Sequence, residues 1–112
     1  MEGTSEQDIQ LTKNLLKKLF PKECEEFLNS LHDIFYNVKE SNAEEKYHDL
    51  EERMKEFAKI VKKRYREGMR NSVSDMILGE LYQDNKIDDD YFNKFSIETQ
   101  QWLKQFYPKD NF

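Results

Sequence analysis

The chain reads as an all-α fold, a compact bundle of four main helices followed by one or two short C-terminal helices. Three observations predict it. Apolar residues return at three- and four-residue steps along most of the sequence, the period of an amphipathic helix. No run of alternating β-branched residues appears, and three Gly and two Pro leave few places for tight hairpins. The 112 residues include enough aromatic and aliphatic side chains to fill one core, although 37% are charged. A single helical domain spanning 1–112 is expected, with 1–5 and 108–112 frayed.

Taken in order, the helices punctuate themselves. Thr4 and Gln7 fit a capping box ahead of Ile9, Leu15, Leu16, Leu19 and Phe20, which share one face of a first helix. Pro21 is expected to end that helix and open the next. Cys24, Phe27, Leu28, Leu31, Ile34, Phe35 and Val38 then recur at helical spacing, so this second helix is expected to be the spine of the bundle, with Leu31 buried and Cys24 an unreactive, buried thiol. Ser41 and Glu44 match the S-x-x-E box and open a third helix, which Gly68 interrupts. Asn71 or Ser72 would cap a fourth through Val73, Met76, Ile77, Leu81 and Tyr82. Asp88, Asp89 and Asp90 complement the start of a short helix carrying Tyr91, Phe92 and Phe95. Ser96 caps a last segment with Ile97, Trp102, Leu103, Phe106 and Tyr107, stopped by Pro108.

Charge is segregated. Between Arg53 and Arg70 there are eight basic and two acidic residues, inside a chain whose net charge is −5. On an ideal third helix, Tyr47, Leu50, Met54, Phe57, Ala58, Val61 and Tyr65 gather on one face, while Lys55, Lys59, Lys62, Lys63, Arg66 and Arg70 form a stripe on the other. Like charges stacked at i, i+4 cost a few tenths of a kcal/mol per pair, so the stripe calls for an outside or tertiary counter-charge. The bland reading is a solvated face alongside the acidic remainder of the fold; the sharper one is a docking surface for phosphates or an acidic protein. A second candidate surface is the aromatic-rich end, where Tyr91, Trp102 and Tyr107 either plug the bundle or anchor a partner.

Catalytic and metal readings fail on spacing. Cys24 and His32 lie eight residues apart on one expected helix, too far to act as a thiol and its base. Neither His32 nor His48 has a second ligand at metal spacing. The Asp84–Phe95 stretch departs from a calcium loop at Lys86, Asp89 and Phe95. No catalytic residue, metal ligand or cofactor is assigned, and an enzyme is not expected. One unpaired cysteine, no secretory signal and no membrane-length apolar run point to a cytoplasmic protein, or the host cytoplasm for a viral one.

The run Tyr65-Arg66-Glu67-Gly68 through Arg70, with the helix after it, is faintly similar to the small helical subunits of RNA-guided defence complexes. That resemblance implies a basic helix face lining a nucleic-acid path; the net negative charge departs from those subunits. The residues themselves favour a small, non-enzymatic protein-interaction module of the inhibitor, immunity or adaptor type that phages and mobile elements encode. Its partner would be another protein, with homo-oligomers a further option and no membrane. The alternative is a nucleic-acid-binding subunit that lays the Lys55–Arg70 stripe along phosphates.

Overall fold

The computed structural model describes residues 5–109, and these contain helices and turns but no strand. Four helices are long: α1 (Glu6–Asn29), α3 (Ala43–Ile60), α4 (Ser74–Gln83) and α6 (Ile97–Phe106). Two are single turns, α2 (His32–Phe35) and α5 (Asp89–Phe92). The all-α expectation therefore holds with four main helices, one of which, α6, comes from the C-terminal segment expected to be short. The hydrophobic core gathers Leu15 and Leu16 of α1, Tyr65, Ile77, Leu78, Leu81 and Tyr82 around α4, and Ile87, Tyr91, Phe95 and Leu103 from the C-terminal segment. From this bundle the second half of α1, α2 and α3 project as an antiparallel arm, which stretches the molecule to 58 × 31 × 20 Å.

Several boundaries fall elsewhere than the sequence pattern placed them. Thr4 lies outside the described residues, as does most of the two segments expected to fray; Ser5 caps α1 by accepting from the Asp8 N–H at 3.2 Å. Pro21 does not end α1, which continues for two more turns to Asn29. A proline inside a helix forfeits one backbone bond and crowds the carbonyl four residues back. Contacts on both sides hold the helix in place through it: Phe20 stacks on Tyr65 at 4.8 Å, and Phe27 stacks on Phe57 at 4.2 Å. The expected second helix is thus divided between the end of α1 and the single turn of α2. Its role as a central spine is corrected accordingly: Leu31 and Ile34 are buried, but Leu28, Phe35 and Val38 are exposed and Cys24 is only half-buried.

The remaining caps follow local chemistry. α3 begins at Ala43 without a side-chain cap from Ser41, because Asn42 uses its side-chain oxygen on the Lys39 N–H at 2.8 Å. Neither Asn71 nor Ser72 caps α4; both lie in a 3₁₀ turn, Asn71–Val73, that precedes it. Asp88 and Ser96 do cap α5 and α6, accepting from Tyr91 N at 2.8 Å and Thr99 N at 3.2 Å. At the end of α4, Asn85 takes the left-handed conformation (φ 57°), while Asn85 N and Lys86 N donate to the carbonyls of Tyr82 and Leu81. This is a Schellman closure with Asn in the place of Gly.

The most consequential departure follows α3. After Ile60 the chain does not stay α-helical to Gly68 but widens into a π-helical turn, Val61–Arg66, then tightens into a 3₁₀ turn, Glu67–Met69. A π turn inserts extra backbone into the helix and changes which way the following side chains point. Here it brings Tyr65 onto Phe20 in the core and leaves Arg64 facing Glu23 and Asp84. Gly68 then packs against Ile77, whose Cγ1 would lie 3.1 Å from any Cβ at that position.

Candidate functional site

The arm is assembled by side chains that α3 turns toward α1 and α2. Arg53 donates to Asp33 at 2.8 and 3.0 Å, to Asp49 at 2.9 Å, and to the Ser30 carbonyl at 3.3 Å. The hydrogen bond with Asp33 holds the Arg53 guanidinium above, and the Asp33 carboxyl below, their usual ranges. Lys46 Nζ donates to the carbonyls of Asp33, at 2.8 Å, and Tyr36, fixing the single turn of α2. Those contacts occupy one face of α3. The helix nevertheless has no buried residue, so its other face is open to solvent along all 18 residues.

That open face carries an apolar groove of about 380 Å³ lined by Tyr47, Leu50, Glu51, Met54, Lys55 and Ala58. A neighbouring groove reaches between α1 and α3, over Phe27, Met54, Phe57, Ala58, Val61 and Arg66. Among the described residues, seven of the ten exposed large hydrophobics fall between Leu28 and Ile60, so the solvent-exposed apolar surface is concentrated on the arm.

Where α3 passes into the π turn, the surface becomes basic. Lys59, Lys62 and Lys63 rim a groove of about 420 Å³ whose other wall is α4 and the turn before it, with Val73, Met76 and Ile77 as an apolar floor and Glu67 at its edge. Lys62 also lines a second groove with Ala58, Arg66, Glu67 and Arg70. The single straight stripe expected from an ideal helix is therefore divided. Lys55 stands beside the apolar groove, 4.0 Å from Glu51. Lys63 pairs with Glu80 on α4 at 3.1 Å. Lys59, Lys62, Arg66 and Arg70 are exposed and make no ion pair among the described residues.

Arg64, in the midst of this basic run, has a different job. Its side chain is 16% exposed and bridges Glu23 at 3.0 Å and Asp84 at 2.7 Å, with Lys86 3.8 Å from Glu23 on the far side. Burial works against the guanidinium charge, but the Glu23 charge and the Asp84 hydrogen bond outweigh it and hold the Arg64 pKa above its usual value. Burial and the same Glu23 carboxylate push the Tyr65 hydroxyl up as well. Sequence spacing gave no sign that Arg64 would be structural while its neighbours stay free.

The aromatic end is largely absorbed by the core. Tyr91 is buried, its hydroxyl donating to the Leu11 carbonyl at 2.6 Å, and burial raises its pKa. It is not available to a partner, which corrects the expectation for that residue. Tyr107 is half-buried and lies flat on Gly79, where a Cβ would run into its ring; half-buried Trp102 meets Tyr107 edge-on at 5.3 Å. These rings plug the bundle between α4 and α6. The exposed apolar residues at this end are Ile97 and Phe106.

Among the described residues no group of three or more His, Cys, Asp or Glu is placed to hold a metal ion, and no helix is long and apolar enough to cross a membrane. Asp84 and Asp88 are engaged by Arg64 and by the α5 cap. No protein-family model, curated protein or solved structure matches the chain.

Proposed function

We propose that the chain is a protein-interaction module, and that it docks an acidic, amphipathic segment of a partner protein in the groove between the π turn and α4. One observation carries this reading. The groove rimmed by Lys59, Lys62 and Lys63 has an apolar floor of Val73, Met76 and Ile77, with Met76 45% exposed. A phosphate backbone needs the charges but has no use for such a floor, whereas a segment with carboxylates on one side and an aliphatic anchor on the other uses both. The charges would guide encounter and register, and the buried anchor would supply lasting affinity. On this reading the protein acts by occupying a surface, as an inhibitor, immunity factor or adaptor does.

Affinity capture from the native source, with nuclease treatment and at physiological salt, tests it using two surface variants. A protein retained by the wild type and lost with both Lys59→Glu/Lys62→Glu and Met76→Asp supports the proposal. Retention that depends on nucleic acid, or that neither variant affects, contradicts it.

A further inference from the structure

We infer that the free face of α3 pairs with the same face of a second copy, antiparallel about a two-fold axis near Arg53. This surface is separate from the basic groove beside α4. Its apolar centre is Tyr47, Leu50, Met54 and Ala58, with Tyr47 59% and Met54 54% exposed, so more than half of two large apolar side chains is left uncovered by the chain. Tyr47, Leu50, Met54 and Ala58 follow one another at steps of three, four and four residues, the spacing of one apolar helix face.

Charge selects the occupant. Residues 43–56 hold six acidic and three basic side chains, and two of those three, Lys46 and Arg53, are committed to α2 and the end of α1. Residues 57–70 hold six basic and one acidic, and of the six Lys63 and Arg64 are paired with Glu80, Glu23 and Asp84, leaving Lys59, Lys62, Arg66 and Arg70. The charged lining of the apolar groove follows the same division, with Glu51 toward its start and Lys55 toward its end. An antiparallel copy lays Glu51 toward the partner copy's Lys55, and the two-fold axis repeats the pairing. A parallel copy would set acid against acid and base against base. The in-chain pairs on this flank are loose, His48–Glu44 at 3.9 Å and Lys55–Glu51 at 4.0 Å, both well exposed, so little is given up in exchanging them. An 18-residue helix offers a face about 27 Å long, at the small end of specific interfaces, so the dimer is reversible and concentration-dependent.

The test is sedimentation equilibrium of the full chain between about 5 and 500 µM, the range in which a small interface dissociates. The expected result is a mass rising from that of the 13.6 kDa chain to twice that value. Met54→Asp should abolish the rise without changing the helical signal, because more than half of the side chain is exposed and a carboxylate there can reach water. Glu51→Lys and Lys55→Glu should each weaken self-association about tenfold by setting like charges across the axis, and an equimolar mixture of the two variants should recover it. A wild type that stays monomeric throughout would leave this face to a different protein and overturn the inference. So would a dimer that persists in Met54→Asp, or two charge variants whose mixture associates no better than either alone.

Discussion

The carboxylate of Asp8, in the first turn of α1, accepts hydrogen bonds from Ser96 Oγ and Thr99 Oγ1, each at 2.7 Å, and from the Ser96 backbone N–H at 3.1 Å. The start of one terminal helix thereby closes the N-terminus of the other, and the Asp8 charge sits where the dipole of α6 favours it. Asp8 is 2% exposed. Burial opposes its charge, but the hydrogen bonds from Ser96 and Thr99 prevail and hold its pKa below the usual carboxylate value.

Asp8→Ala should therefore cost about 2–4 kcal/mol, since it removes charge-assisted bonds and strands three donors. Because the folded pKa is lowered, the contribution is present above the unfolded value of 3.8 and is lost as pH falls through the folded one. Urea denaturation at several pH values should show the difference between wild type and Asp8→Asn shrinking below about pH 4. A difference that stays constant down to pH 2.5 would remove the charge from this account.

Arg64 and Lys62 are two residues apart and should respond in opposite ways. Arg64→Ala strands Glu23, whose side chain is 11% exposed, and should destabilise by about 2–3 kcal/mol even though Lys86 remains nearby. Lys62→Ala should fall within about 0.5 kcal/mol of wild type. Equal losses in denaturant melts would mean that the basic run is uniformly structural.

How far the sequence could be read depends on which forces decide each element. The Ser96 cap and the acidic start of α5 at Asp88 were legible from their own neighbourhoods, whereas the caps read at Ser41 and at Asn71 or Ser72 were not formed. The burial of Leu31 was legible too, although the helix around it was misjudged. An uninterrupted α1 was not legible, because Pro21 is a local helix breaker overruled by the packing of Phe20 and Phe27 on distant residues. The candidate site suffered more. Its six basic residues were found, but their grouping follows from a π turn that no residue pattern announces, and the apolar floor comes from α4 across the groove. The apolar face of α3 was legible from its spacing, but periodicity identifies an apolar face, not whether the chain supplies anything to cover it.

Leu31→Ala should cost about 2–3 kcal/mol, because the side chain is 3% exposed but lies outside the main core cluster. Leu28→Ala, three residues earlier and 65% exposed, should change stability by less than about 0.5 kcal/mol. Comparable losses at the two positions would contradict the placement of the turn between α1 and α2.

Gly79→Ala should destabilise although alanine is the better helix former by about 1 kcal/mol, because a Cβ there displaces the Tyr107 ring. Combining it with Tyr107→Ala should restore most of the helix gain, giving a non-additive double-mutant cycle. Additivity within about 0.3 kcal/mol would show that the ring does not rest on Gly79.

The most direct test of the proposed partner class is the affinity of the purified protein for single-stranded RNA as a function of salt. A groove built for an acidic, apolar-anchored protein segment should bind RNA only weakly, with binding gone by about 150 mM salt. Tight binding that survives about 150 mM salt, with a log–log slope near −3 that flattens in Lys59→Glu/Lys62→Glu, would show that the basic residues serve a phosphate backbone instead.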